Sequence, residues 1–147
     1  MAFSFSYQSI LDYRSHQAEL AEMELARLQR SLLLAEGELR RLVQRWHRGR
    51  RQLAQGLQKG LAGKLMQVWR LYVTDLEAQL ERQTAAVEEL RDRVAEARSK
   101  LLEAVKNRKA MELLQQRQKE IWLREETRQE LRELGEIGVR TAARRLS

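Results

Sequence analysis

The chain contains no proline and no cysteine. A proline inside a helix deletes a backbone hydrogen bond and clashes with the preceding turn, so a proline-free chain can run as helix for many turns. Without cysteine, disulfides, thiolate metal sites and cysteine nucleophiles are excluded, and with them a disulfide-stapled secreted fold. Aromatic residues make up 5% of the 147 positions, which argues against a compact globule with an aromatic-filled core. No run of about eighteen apolar residues occurs, so no span of that kind crosses a membrane. The opening residues lack a basic leader and an apolar core ending in small residues, and the expected location is therefore the cytoplasm.

What is abundant is charge: 33% of residues are Asp, Glu, Lys or Arg. Together with Leu, Ala and Gln this is the composition of long helices and coiled coils. The net charge of +7 raises nucleic acid or anionic membrane as partners, but 21 acidic residues are interspersed with 28 basic ones. Mixed charge of this kind is what the outside of a coiled coil carries, and that reading ranks first.

The apolar residues repeat at alternating steps of three and four. One stripe runs through Leu25, Leu28, Leu32, Ala35, Leu39, Leu42, Trp46, Gly49 and Leu53, and backwards through Ala21, Ala18, Arg14 and Leu11. A second runs through Trp69, Val73, Leu76, Leu80, Gln83, Val87, Leu90, Val94, Ala97, Leu101 and Ala104. A sustained 3.5-residue period is the signature of a left-handed coiled coil. Beyond Val105 the run of apolar residues slips in phase and resumes as Met111, Leu114, Gln118 and Ile121, which predicts a stutter.

Between the stripes, residues 56–63 carry three glycines, Gly56, Gly60 and Gly63. Glycine supplies the positive φ that a chain reversal needs, and a short connection makes two long helices antiparallel neighbours. The fold expected is all-α: a single antiparallel two-helix coiled-coil hairpin with an overhanging second helix. Helix 1 covers about 8–55, the turn about 56–63 and helix 2 about 64–134, ended by Gly135 and followed by a basic tail over 135–147. Facing residue numbers should sum to about 120, which brings Leu39 opposite the region of Leu80 and Leu25 opposite Val94 or Ala97. The end of helix 2 outruns helix 1, leaving Trp122 with Ile121 and Leu123 where no first-helix residue can cover it. Such an exposed apolar patch implies a partner or self-association.

No constellation for catalysis emerges. Gly60-Leu61-Ala62-Gly63-Lys64 resembles a phosphate loop, but Leu65 stands where the metal-binding hydroxyl belongs and no strand precedes it. His16 and His47 are read as solvated helix residues. No enzyme activity, cofactor, metal or small-molecule substrate is expected. Arg40, Arg41, Arg45, Arg48, Arg50 and Arg51 form a basic cluster, with Asp75, Glu77 and Glu81 near enough across the hairpin for some pairing. A solvated or paired face ranks first for it, a protein-docking surface second, and nucleic acid or membrane last. Trp46, Trp69 and Tyr72 gather near the turn. A two-helix pair cannot bury all three, and aromatics beside arginine are the residues that recur at binding hot spots.

The N-terminal pattern Phe3-x-Phe5-x-Tyr7-Gln8-x-Ile10-Leu11-Asp12-Tyr13-Arg14 resembles the opening signature of the FliJ family of flagellar type III export proteins. The length, the hairpin and the overhang extend that resemblance over nearly the whole chain. It implies a non-enzymatic coupling protein similar to the coiled-coil stalk of the rotary ATP synthase gamma subunit. Its terminal ends would enter the central pore of a hexameric flagellar export ATPase, which places Tyr13, Arg14, Ile121, Trp122 and Leu123 at the ring. A surface beside the turn would contact the cytoplasmic domain of the export gate membrane protein, through Leu42, Tyr72 and Leu76 with Trp46 and Trp69 as neighbours. The family favours aromatics where this chain has Arg45 and Gly49. The resemblance further implies recruitment of export chaperones and peripheral association with the inner membrane at the flagellar base. The alternatives are the equivalent stalk protein of a virulence-type III secretion system and a basic coiled coil that binds nucleic acid.

Overall fold

The computed structural model describes residues 2–60 and 62–146. Met1 and Ser147, the ends of the expected domain, and Leu61, in the expected turn, lie outside the described residues. Helix α1 spans Gln8–Lys59 (52 residues) and helix α2 spans Gly63–Leu146 (84 residues). The chain is thus all-α, two long helices packed antiparallel, as the twin stripes require. It divides into two compact units, one of Leu20–Leu101 and one of Met1–Glu19 with Leu102–Ser147.

The expected start of α1 holds. The Phe5 carbonyl accepts from the Gln8 amide at 3.2 Å, and the Gln8 side chain donates to Asp12 Oδ1 at 2.9 Å. Its end lies beyond the expected 55, because Gly56 is helical and buried rather than part of the turn. A helical glycine costs about 1 kcal/mol in backbone entropy without forcing the helix to end. The reversal falls to Gly60, whose φ of +67° a side chain would strain. The Ala62 carbonyl then accepts from the Leu65 and Met66 amides at 3.0 and 3.1 Å, opening α2.

In the Leu20–Leu101 unit the two stripes meet face to face. Leu28, Val94 and Ala97 form a buried cluster with Leu25, Leu32 and Leu90 packed against it. Leu25 therefore meets the pair expected for it. Towards the turn Leu42, Met66, Val73 and Leu76 are buried, and Val87 is the most enclosed at 1% exposure. Gln83, the one polar member of the second stripe, donates from Nε2 to the Ala35 carbonyl at 2.9 Å, so its amide is not stranded. The facing numbers 35 and 83 add to 118, close to the expected register.

In the other unit the segment before α1 is part of the packing. Phe5, Leu11 and Met111 form a buried cluster with Phe3 and Leu114 against it. Phe3 lies on Trp122 with ring centroids 5.9 Å apart. The expectation that Trp122 is uncovered is thus corrected: an aromatic ahead of α1 lies on it, and Trp122 is half-buried. Arg14 donates to the Asn107 carbonyl at 3.1 Å, and Gln115 donates to Gln8 Oε1 at 3.2 Å.

The expected stutter is absent. Shielded positions continue as Ala104, Arg108, Met111, Gln115, Gln118 and Trp122, the same three-four step without interruption. Polar side chains at Arg108 and Gln115 had hidden it. Arg108 keeps Nε shielded from solvent, with the Glu112 carboxylate 3.4 Å away. Nor does α2 stop near Leu134. Gly135 and Gly138 lie inside the helix, which continues to Leu146, so among the described residues no separate tail follows Gly135. Each glycine weakens the helix by about 1 kcal/mol without forcing an end. Thr141 Oγ1 bonds the Ile137 carbonyl at 2.8 Å, and Arg144 and Arg145 in the last turn complement the helix dipole. Residues 127–146 are all exposed.

Candidate partner-binding surfaces

Near the turn, helical spacing puts Trp69, Val73 and Leu76 along one side of α2, with Tyr72 one position off the seam. The structure separates these residues. Leu42 and Leu76 are 4% and 2% exposed, held between the helices, whereas Tyr72 is 42% exposed. Trp46 and Trp69 are half-buried. The Trp69 and Tyr72 rings meet edge to face at 5.8 Å, the favoured geometry for their quadrupoles. Trp46 stacks edgewise on His47 at 4.9 Å, and the Arg50 guanidinium lies 5.0 Å from the Trp46 ring centre, a cation–π contact.

The pairing of the arginine cluster with Asp75, Glu77 and Glu81 does not occur among the described residues. Glu77 instead accepts from the Trp46 indole at 3.2 Å, and Asp75 accepts from Gln79 at 2.7 Å. Arg41 pairs with Glu38 on its own helix at 3.5 Å, and Arg91 pairs across the helices with Glu36 at 3.4 Å. Arg45 and Arg48 are exposed, and neither has a carboxylate within 4.0 Å among the described residues. Elsewhere on the same unit, a hydrogen bond from Arg27 holds the Glu24 carboxyl below its ordinary range and raises Arg27 in turn.

Arg45, Arg48, Gly49, Gln52, Val68, Trp69 and Tyr72 line a groove of about 480 Å³. Gly49 shapes it. A Cβ at that position would stand 3.2 Å from Val73 Cγ2 and 3.4 Å from Tyr72 Cε1, so the Tyr72 ring leans on the bare backbone of α1. Gly49→Leu is therefore expected to cost about 1–3 kcal/mol through overpacking, despite leucine's better helix propensity. Thermal unfolding followed by circular dichroism checks this. Sequence reading had missed Gln52 and Val68. The spacing of Val68 and Tyr72, one turn apart on α2, was the available signal.

At the other unit, Tyr13 is 63%, Ile121 52% and Leu123 48% exposed, while Trp122 is half-buried beneath Phe3. Arg14 is engaged with the Asn107 carbonyl. Tyr7 and Ile10 are 44% and 42% exposed beside Tyr13, so the N-terminal pattern has two jobs. Phe3, Phe5 and Leu11 pack inward, and Tyr7, Ile10 and Tyr13 face out. Among the described residues no group of three His, Asp or Glu gathers closely enough to hold a metal ion, and no helix is long and apolar enough to cross a membrane.

The sequence matches the family model described as flagellar FliJ protein over residues 3–147. The chain belongs to the FliJ family. No curated protein matches it at a significant level. Among solved structures, that of a putative YscO homolog from Chlamydia trachomatis aligns with a TM-score of 0.60 at 20% identity, covering 93% of each chain. At that identity the likeness speaks for a shared two-helix fold. In this FliJ family member, the surface that the resemblance assigned to the gate divides into two buried seam residues, Leu42 and Leu76, and a rim of Trp46, Trp69 and Tyr72. At Arg45 and Gly49, on the same groove, the chain has a cation and a gap filled by Tyr72.

Proposed function

We propose that this protein is a non-enzymatic coupling component of the flagellar type III export apparatus. It inserts its terminal ends into the export ATPase ring and presents the surface beside the turn to the cytoplasmic domain of the export gate. Recruitment of empty export chaperones and a place at the inner membrane beneath the flagellum belong to the same reading. The family match over residues 3–147 carries the proposal. Two features of the structure support it: an α2 end exposed throughout residues 127–146, and an aromatic groove bordered by unpaired arginines. At the ring, Tyr13, Ile121 and Leu123 offer apolar contact and Arg14 and Trp122 lie beside them. At the gate, Tyr72 and Trp69 are the anchors, with Leu42 and Leu76 setting their position from beneath.

The test is ATP hydrolysis by the cognate export ATPase with and without the protein at near-ring stoichiometry. Stimulation is expected, and a chain ending at Glu126 should lose it. That truncation keeps the Phe3–Trp122 contact and removes only the exposed end. Unchanged hydrolysis together with no co-elution of the two proteins overturns the reading.

The likeness to a putative YscO homolog favours the virulence-type secretion apparatus as the second setting for the same fold. Neighbouring genes for needle rather than flagellar parts would decide for it. The nucleic-acid alternative draws on Arg45 and Arg48, which lack acidic partners. It requires DNA affinity that falls by orders of magnitude over a few-fold rise in salt.

A further inference from the structure

In the unit containing Leu102–Ser147, the seam face of α2 is thin, with Ala104, Arg108 and Gln115 around Met111. The opposite face is richer. Leu102 is 67% and Leu113 55% exposed. With Val105, Ala110, Lys106 and Lys109 they line one groove of about 470 Å³. Leu102, Lys106, Lys109 and Leu113 stand at steps of four, three and four, which on an α-helix is a single line. Lone exposed leucines are ordinary, but these share a continuous groove with two further apolar side chains. A helix that is apolar on opposite faces buries only one of them within its own hairpin.

Charge indicates what covers the other. Neither Lys106 nor Lys109 has a carboxylate within 4.0 Å among the described residues; the ion pair at this level is Arg108–Glu112. Two free ammonium groups bordering an apolar groove match a surface that brings both apolar side chains and carboxylates. A bilayer is the poorer fit. The apolar line covers about three turns, roughly 16 Å, and then runs into Arg117 and Glu120, short of the broad apolar face that a membrane-surface helix buries.

We propose that this face of α2 is a docking site for an acidic amphipathic helix of another protein. Apolar side chains of that helix would seat between Leu102 and Leu113, with its carboxylates on Lys106 and Lys109. The inference uses neither the ring residues nor the gate residues and does not rest on the function proposed above.

The experiment is fluorescence anisotropy of the full chain with a labelled three-heptad peptide carrying leucines along one face and glutamates beside them. A peptide of the same composition in scrambled order and vesicles of phosphatidylglycerol in phosphatidylcholine serve as controls. The patterned peptide is expected to bind at least about tenfold more tightly than the scrambled one. L102A with L113A, and K106E with K109E, should each weaken it by about tenfold or more with helicity unchanged, since all four side chains are outside the seam. Equal binding of the scrambled peptide, binding undiminished in both double variants, or no binding would overturn the proposal. So would a preference for the vesicles, or self-association of the chain that L102A with L113A abolishes.

Discussion

Leu76→Ala is expected to destabilise the Leu20–Leu101 unit by about 2–5 kcal/mol, while Tyr72→Ala, four residues earlier on the same helix, costs about 1 kcal/mol. The contrast follows from burial. Leu76 is 2% exposed and Tyr72 42%. Removing the leucine leaves a void between two helices that have only one seam to hold them, and neighbouring layers cannot collapse into it without breaking register. Removing the tyrosine forfeits an edge-to-face contact with Trp69 and the packing of a half-exposed ring on the backbone at Gly49, but empties no buried layer. Binding to the export-gate domain should invert the order once stability is allowed for. Tyr72→Ala is expected to lose at least about 2 kcal/mol, some thirtyfold in Kd, as exposed aromatic anchors typically do. Leu76→Ala, measured at a temperature where it is still folded, should lose less. Thermal unfolding by circular dichroism and titration calorimetry with the gate domain separate the two effects. If Leu76→Ala unfolds no more readily than Tyr72→Ala, the seam assignment is wrong. If Tyr72→Ala binds as tightly as the parent, the rim is not the gate surface.

The residues that the resemblance assigned to the gate show where sequence reading reached and where it stopped. A three-four period identifies the stripe to which Leu42 and Leu76 belong, and the stripe is the seam. Assigning the same residues to a partner asked one side chain to face two ways. The period also carried the register, since Leu25 meets the layer of Val94 and Ala97 as the pairing rule requires. It failed where the seam turns polar. Arg108 and Gln115 occupy seam positions in an unbroken repeat, and a reader following apolar residues alone shifts onto Leu114 and Ile121 and infers a stutter. The glycines misled in the opposite direction. Gly60 adopts the positive φ that only glycine takes cheaply, whereas Gly56, Gly135 and Gly138 remain helical. Composition cannot tell a glycine that turns from one that makes room or merely weakens a helix. The groove was less legible still, because Gly49 matters through a side chain that is missing and through Tyr72, which fills the gap.

Phe3→Ala with Phe5→Ala is expected to have the largest effect in the unit of Met1–Glu19 and Leu102–Ser147. Phe5 is 7% exposed in the cluster with Leu11 and Met111, and Phe3 covers Trp122. Truncating a buried phenylalanine costs about 3–5 kcal/mol. The seam of this unit has little to offset it, since Ala104, Arg108 and Gln115 contribute small or polar layers. An α-helix without a packed face is only marginally stable in water, so residues 111–122 should open locally and exchange their amide hydrogens faster. Those of the Leu20–Leu101 unit should stay protected. A chain in which Trp46 and Trp69 are replaced by Phe reports the same event optically, because Trp122 is then the sole tryptophan. Its emission should shift to the red when Phe3 and Phe5 are removed. An unshifted spectrum and unchanged exchange would mean that the N-terminal aromatics do not hold this end together. In that case their place in the opening pattern would have to be explained by a partner rather than by the fold.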